Sequence, residues 1–305
     1  MKTFLLAAGL VLAMVLTFSC TSDIESAEEV LRKAESSSSS LLAEVSSSSL
    51  AGVSSSLAVV LSSSSSFQSS SSGLSCETCV ASSQLNQTGK TTRYWDGCKP
   101  SCAWPGKQTN GQGTAKTCNI NGGSLSDANA QSACDNGPAF TCMNQAPWSI
   151  NDNVSYGFAA SHTDADCGKC FQLEFTSNGD GGSGSGLTGK TLVVMISNIG
   201  GDVGQKQFDL MIPGGGVGQF NAISRQLSSN GVSNPQLGVQ YGGFRATCGN
   251  NESCVQNMCN SAFGTSALSD LKRGCDWYVT WMKIANNPNV KYKDISCPHA
   301  LRAKW

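Results

Sequence analysis

Hydrophobic and polar positions along the chain fall into three regimes. The first is an apolar run from Phe4 to Phe18 behind a single positive residue, Lys2. This pattern predicts an export signal over residues 1–20, because a membrane-spanning helix needs about 20 apolar residues. The second regime has no period: from Ser36 to Ser75, 22 of 40 residues are Ser, in blocks broken by Leu, Ala and Val. So little apolar surface cannot offset the entropy of ordering, and residues 21–83 are expected to form a flexible low-complexity linker. Within it, Ile24 to Lys33 (IESAEEVLRK) predicts one short helix.

The third regime, residues 84–305, has short periodic segments separated by Gly-, Asn- and Ser-rich loops. Phe171 to Phe175 (FQLEF) alternates as a half-buried strand does, and Thr191 to Ile196 (TLVVMI) is the continuous run of a buried strand. Trp277 to Trp281 (WYVTW) alternates, and Val290 to Ile295 (VKYKDI) follows an Asn-Asn-Pro turn. Helical candidates are brief: Asp127 to Cys134, Val154 to Ser161, Val217 to Leu227 and Ala267 to Lys272. The glycine-rich stretch 178–189 reads as a long loop. These segments predict a mainly β, loop-rich domain of barrel or sandwich type, long enough to bury one core.

Composition narrows the chemistry. With 20 Lys+Arg against 21 Asp+Glu and no basic block, the chain offers no electrostatic footprint for nucleic acid. All six Trp and all five Tyr lie beyond Gln84. Two His leave few candidates for a Ser/Cys–His pair and argue against a His-rich metal centre. Fifteen Cys in an exported protein point to disulfides. Cys76-Glu77-Thr78-Cys79 lacks the βαβ context of a redox site and reads as a local loop disulfide. Thr17-Phe18-Ser19-Cys20 resembles the lipoprotein cleavage box, although Thr17 stands where that box usually has Leu. The resemblance implies lipidation of Cys20; the chain, expected to be a monomer, is either secreted or anchored at the cell surface.

Two local patterns carry candidate catalysis. In TTRYWDGCKPSCAW, Asp96 is flanked by Tyr94 and Trp95 and followed by Cys98 and Cys102. In GGDVGQKQFDLMIPGGGVGQF, Asp202 sits in a glycine loop and Asp209 lies seven residues later between Phe208 and Leu210. Such a set suits glycoside hydrolysis, in which one carboxylic acid with a raised pKa protonates the leaving oxygen. A second, ionised carboxylate activates water or attacks carbon. The glycine run Gly214 to Gly218 is not G-x-G-x-x-G, since Gln219 ends it, and no Lys-Ser/Thr follows; it reads as a tight turn into a helix near Val217.

These two segments resemble the signatures of glycoside hydrolase family 45, the small inverting endoglucanases that cleave cellulose. Further matches are CMNQAPW from Cys142, YGFAA from Tyr156, CFQLEFT from Cys170, YGG at Tyr241 and GCDW from Gly274, collinear from about residue 90 to 300. The resemblance implies a six-stranded double-psi β-barrel with long disulfide-linked loops, a few short helices and a groove for a β-1,4-glucan chain. By position, Asp96 is then the general base, Asp209 the general acid and Asp202 an auxiliary carboxylate; this mechanism requires neither metal nor cofactor. Thr92, Tyr94, Trp95, Trp104 and Gln207 line the groove. Bridges implied by the resemblance are Cys98 to Cys134, Cys102 to Cys167, Cys118 to Cys142 and Cys170 to Cys297. Cys248, Cys254, Cys259 and Cys275 form two more, their pairing open.

Departures from the family pattern are informative. Relatives commonly carry a bridged pair of cysteines where this chain has Gly97 and Ile223. They have another Cys at Gly168, whose partner would lie beyond Trp305, and a His at Gln207, where a neutral amide cannot carry charge. An expansin-like, non-hydrolytic wall-loosening protein shares the barrel and the Phe-Asp segment but lacks the base and carries a second sandwich domain. Asp96 therefore favours hydrolysis.

Overall fold

A computed structural model of the chain describes residues 75–182 and 184–305. The export signal with Cys20, the helix expected at Ile24 to Lys33 and the Ser-rich stretch up to residue 74 lie outside these described residues. The packed domain starts earlier than Gln84. Val80 N donates to Gln172 Oε1 and Val80 O accepts from Gln172 Nε2. Glu77 Oε2 accepts from the His299 backbone, and Cys76 and Cys79 are bridged against the core.

Six strands close into a mixed barrel: β1 (Gln87–Tyr94), β5 (Val154–Ser161), β6 (Cys170–Phe175), β7 (Thr191–Ile199), β8 (Gln207–Met211) and β9 (Asn289–Ile295). Three two-residue strands, β2 (Thr117–Cys118), β3 (Ser124–Leu125) and β4 (Trp148–Ser149), lie outside the closed ring. The order around the barrel is β5-β7-β6-β9-β1-β8, and β8 pairs back to β5. β1 runs parallel to β8 and β5 parallel to β7, the other four contacts being antiparallel. Closure pairs each of the six barrel strands on both sides and so leaves the ring no free edge. Barrel, strand count and closure match the fold expected from the resemblance.

Two segments differ from their local pattern. Val154 to Ser161 is a strand rather than a helix, paired on one side to β7 and on the other to β8. Seven of its eight residues are buried, so no polar alternation marks it. Trp277 to Trp281 is helix rather than strand. It ends α4 (Ser269–Thr280), which packs against α3 (Glu252–Phe263) through the Cys259–Cys275 bridge. Leu271, Gly274, Cys275 and Tyr278 are all buried at helical spacing, and Trp277 stacks on Trp281 one turn on, with ring centroids 5.2 Å apart. The other helices are α1 (Ile223–Ser229), α2 (Gly243–Cys248) and α5 (His299–Arg302). Of the helix expected at Asp127 to Cys134, only the 3-10 turn Ala133–Asp135 forms, and α1 begins six residues beyond Val217.

All four bridges implied by the resemblance are present, and the open set resolves as Cys248–Cys254 and Cys259–Cys275. Gly97 and Ile223, where relatives carry a bridged pair, are in contact. A Cβ on Gly97 would lie 2.9 Å from the Ile223 nitrogen, and the glycine has φ +79°. Losing both cysteines together keeps the two segments adjacent without an orphan thiol.

Candidate active site

Parallel pairing of β1 with β8 sets Thr92 beside Asp209 in register. Thr92 Oγ1 donates to Asp209 Oδ1 at 2.6 Å, and Gln207 Nε2 donates to Thr92 Oγ1 at 2.9 Å. Beyond Tyr94 the chain leaves β1 and turns. Asp96 Oδ1 accepts from Cys98 N at 2.8 Å, and the Asp96 carbonyl accepts from Ala222 N and Ile223 N, tying the turn to the start of α1. Cys98–Cys134 pins the far side of this turn. The glycine run opposite is a backbone turn, as its sequence implied. A Cβ on Gly216, at φ +107°, would meet the Gln240 carbonyl and the Gly242 nitrogen at 2.8 Å, so the segment packs backbone to backbone against 240–243.

Both half-buried carboxyls bind protons more tightly than a free aspartate. Asp209 is raised from 3.8 to about 7, chiefly by burial, with the charges of Asp202 and Asp96 adding to the effect; the Thr92 hydrogen bond and Arg93 oppose it. Asp96 is raised to about 6, again by burial, opposed by backbone N–H groups including that of Cys98. The order has a physical cause: Asp96 accepts N–H bonds that favour its ionised form, whereas Asp209 faces two other carboxylates. Tyr94 is held protonated, its pKa pushed well up by burial and then by Asp96 and Asp209.

Two adjoining cavities meet at these groups and form one groove. Both are lined by Tyr94, Asp202, Asp209, Gly218 and Tyr241. One continues along Thr92, Gln207, Arg93, Asn286 and Asn287. The other continues along Asp96, Lys99, Trp104, Asp135 and Phe220. The structure thus brings together Asp96, Asp202, Asp209, Thr92, Tyr94, Trp104 and Gln207. Trp95 is the exception: it is 3% exposed, packed in the core, and lines neither cavity, so it offers no face to a ligand. Alternation explains this, since Tyr94 and Asp96 face the groove and the residue between them faces inward.

Several groove residues were not singled out from sequence. Tyr241 and Phe220 are 63% and 51% exposed, two of only three exposed large apolar side chains among the described residues. Their places at the ends of YGG and GGGVGQF are the signal that marks them. Asn198 donates to the Tyr94 hydroxyl at 2.9 Å and accepts from Ser101 N. A bulge in β7 puts Ala159 opposite Ile196 and Ala160 opposite Asn198, re-aiming Asn198 toward the groove. Lys99 Nζ stands 3.3 Å over the Trp104 ring while donating to two backbone carbonyls, which fixes the indole as a platform. Arg93, buried beneath the other end, donates to Asn286 and to the Gly242 carbonyl.

Comparison with known proteins agrees with this geometry. Residues 88–304 match glycosyl hydrolase family 45. The chain is 43% identical over 231 residues to "Endoglucanase B" of Cellvibrio japonicus, covering 71% of this chain but 44% of that protein's length. It is 35% identical to "Endoglucanase" of Cryptopygus antarcticus, covering 74% of this chain and 91% of the relative. It is also 36% identical to "Putative endoglucanase type K" of Fusarium oxysporum, covering 73% and 54%. The crystal structure of cellulase from the Antarctic springtail Cryptopygus antarcticus superposes with a TM-score of 0.58 at 36% identity, over 71% of this chain and 94% of that one. With the barrel, the groove and its carboxylates joined by a match that runs nearly the length of the described domain, the chain belongs to glycosyl hydrolase family 45.

Proposed function

We propose that the protein is an endo-1,4-β-glucanase that cleaves internal bonds of cellulose or a related β-glucan by single displacement with inversion. Asp209 acts as the general acid and Asp96 as the general base. The observation that carries this reading is a pair of groove carboxyls, each raised by burial, with the candidate acid above the candidate base. Between about pH 6 and 7 one is protonated while the other is ionised, the division of labour such hydrolysis needs.

In the reaction a glucan chain lies along the groove with its scissile oxygen at Asp209. The acid gives that oxygen its proton as the bond breaks, and Asp96 takes a proton from a water that attacks the anomeric carbon from the opposite face. Inversion requires the two carboxyls to stand about 6.5–9.5 Å apart to admit that water. Asp202 raises the proton affinity of Asp209 by its charge. Tyr94, whose oxygen accepts from Asn198, keeps its own O–H to offer to a sugar hydroxyl. Trp104, Phe220 and Tyr241 supply apolar faces on which pyranose rings stack.

The relatives' names support this substrate class, and a groove containing Asp96 favours hydrolysis over expansin-like loosening. Export, with Cys20 as a lipid anchor, is proposed on sequence alone. The test is the release of reducing ends from soluble β-1,4-glucan. Asp209→Asn and Asp96→Asn are each expected to lower the rate by about 10²–10⁴ while the fold persists. Near-normal release by either variant refutes the assignment.

A further inference from the structure

The turn leading into β8 is joined to Asp209 by three hydrogen bonds in series, and donor chemistry gives the series a direction. The Gly204 backbone N–H can only donate, and it donates to Gln207 Oε1 at 3.2 Å. That contact fixes which way the amide lies: its oxygen faces the backbone and its Nε2 faces Thr92. An amide nitrogen has no acceptor capacity, so the Thr92 hydroxyl accepts from it with one lone pair and turns its single proton to the acceptor within reach on the other side, Asp209 Oδ1. Oδ1 is thereby confined to accepting, and a proton carried by Asp209 sits on Oδ2.

We propose that Gln207 is a positioning residue which, acting through Thr92, holds the acid proton of Asp209 on Oδ2. The proposal rests on the reading of Asp209 as the general acid and deepens it. A histidine at this position could donate or accept according to its own protonation. The amide, anchored by the Gly204 backbone, keeps one direction at every working pH. It also ties the acid to the loop that carries Asp202, since Gly204 lies two residues beyond that carboxylate. Losing Gln207 removes the donor that keeps the Thr92 proton turned toward Asp209. The hydroxyl can then rotate, donate elsewhere and accept from Asp209, whose proton can sit on Oδ1, facing Thr92 and not the leaving oxygen. The charged and titratable groups facing Asp209 are Arg93 and Tyr94 on β1, Asp96 beyond its end and Asp202 on the β7–β8 loop. Gln207 is neutral, so replacing it leaves these charges in place.

The experiment is a carboxyl carbon NMR titration of Asp209 in the full chain, without substrate, for wild type, Gln207→Leu, Thr92→Val and the double variant, with Gln207→Met as a second apolar replacement. Gln207→Leu, or Gln207→Met, and Thr92→Val are each expected to raise the Asp209 midpoint by about one pH unit, and to lower kcat more than they change KM. In the double variant the midpoint should move no further than in Thr92→Val, because the effect passes through that hydroxyl. An unchanged midpoint in the Gln207 variants, or shifts that add in the double variant, overturns the proposal. Failure of wild type to release reducing ends would instead overturn the hydrolase reading, which the titration does not use.

Discussion

Asp96 and Asp209 carry the same functional group, and their surroundings separate them. Asp96 sits in a turn whose backbone N–H bonds favour the carboxylate, while Asp209 is flanked by Asp96 and Asp202. The expected pH dependence follows from the signs. Activity rises through about pH 6 as the base ionises and falls through about pH 7 as the acid loses its proton, giving a bell in kcat/KM. Asp202→Asn removes a negative charge that helps Asp209 keep its proton. Its alkaline limb should therefore move to lower pH, by a few tenths to about one unit; a limb that stays put would show that Asp202 does not act on the acid. At the same scale, Phe220→Ala and Tyr241→Ala each remove an exposed groove aromatic. Each is expected to raise KM on polymeric glucan several-fold, about 1 kcal/mol, with less change in kcat. Equal losses in kcat would place these rings in the chemical step.

Among the elements, disulfides hold the loops to the barrel. Cys170–Cys297 joins the start of β6 to the segment after β9 across 127 residues, and Cys102–Cys167 spans 65. Replacing Cys170 and Cys297 together by Ala is expected to cost about 2–5 kcal/mol, read as a lowered midpoint of denaturant unfolding. An unchanged midpoint would mean the strand pairing of β6 with β9 fixes this corner unaided. What was legible in sequence at this scale depends on whether one face of an element meets water. Phe171 to Phe175 and Val290 to Ile295 were read as strands from pattern and turn signals. β5 was not, because burial on both faces erased the alternation. The end of α4 imitated a strand over five residues, while the helical spacing lay in Leu271, Gly274 and Cys275 before it. The groove aspartates stood out as candidates from their neighbours, but an Asp beside aromatics or glycines is common in turns, and only the resemblance assigned them separate roles. Asn198 needed the β7 bulge, and Arg93 and Lys99 needed the packing beneath the groove, none of which spacing encodes.

For the molecule as a whole, closure of the barrel is what assembles the site. β1 and β8 are more than a hundred residues apart in sequence, yet their parallel register sets Thr92 against Asp209, and β8 pairs onward to β5. The same closure leaves a groove that runs past the carboxyls in both directions, aromatic toward Trp104 and Phe220 and amide-rich toward Asn286 and Asn287. A groove that continues on both sides of Asp209 suits internal cleavage of a chain, and the two raised carboxyls lining it suit attack by water opposite the leaving group. That stereochemistry is the central claim, and one measurement reads it directly. Proton NMR of the first product released by the full chain from a soluble β-1,4-glucan, recorded before mutarotation, should show the α-anomer; an initial β-anomer would contradict the account.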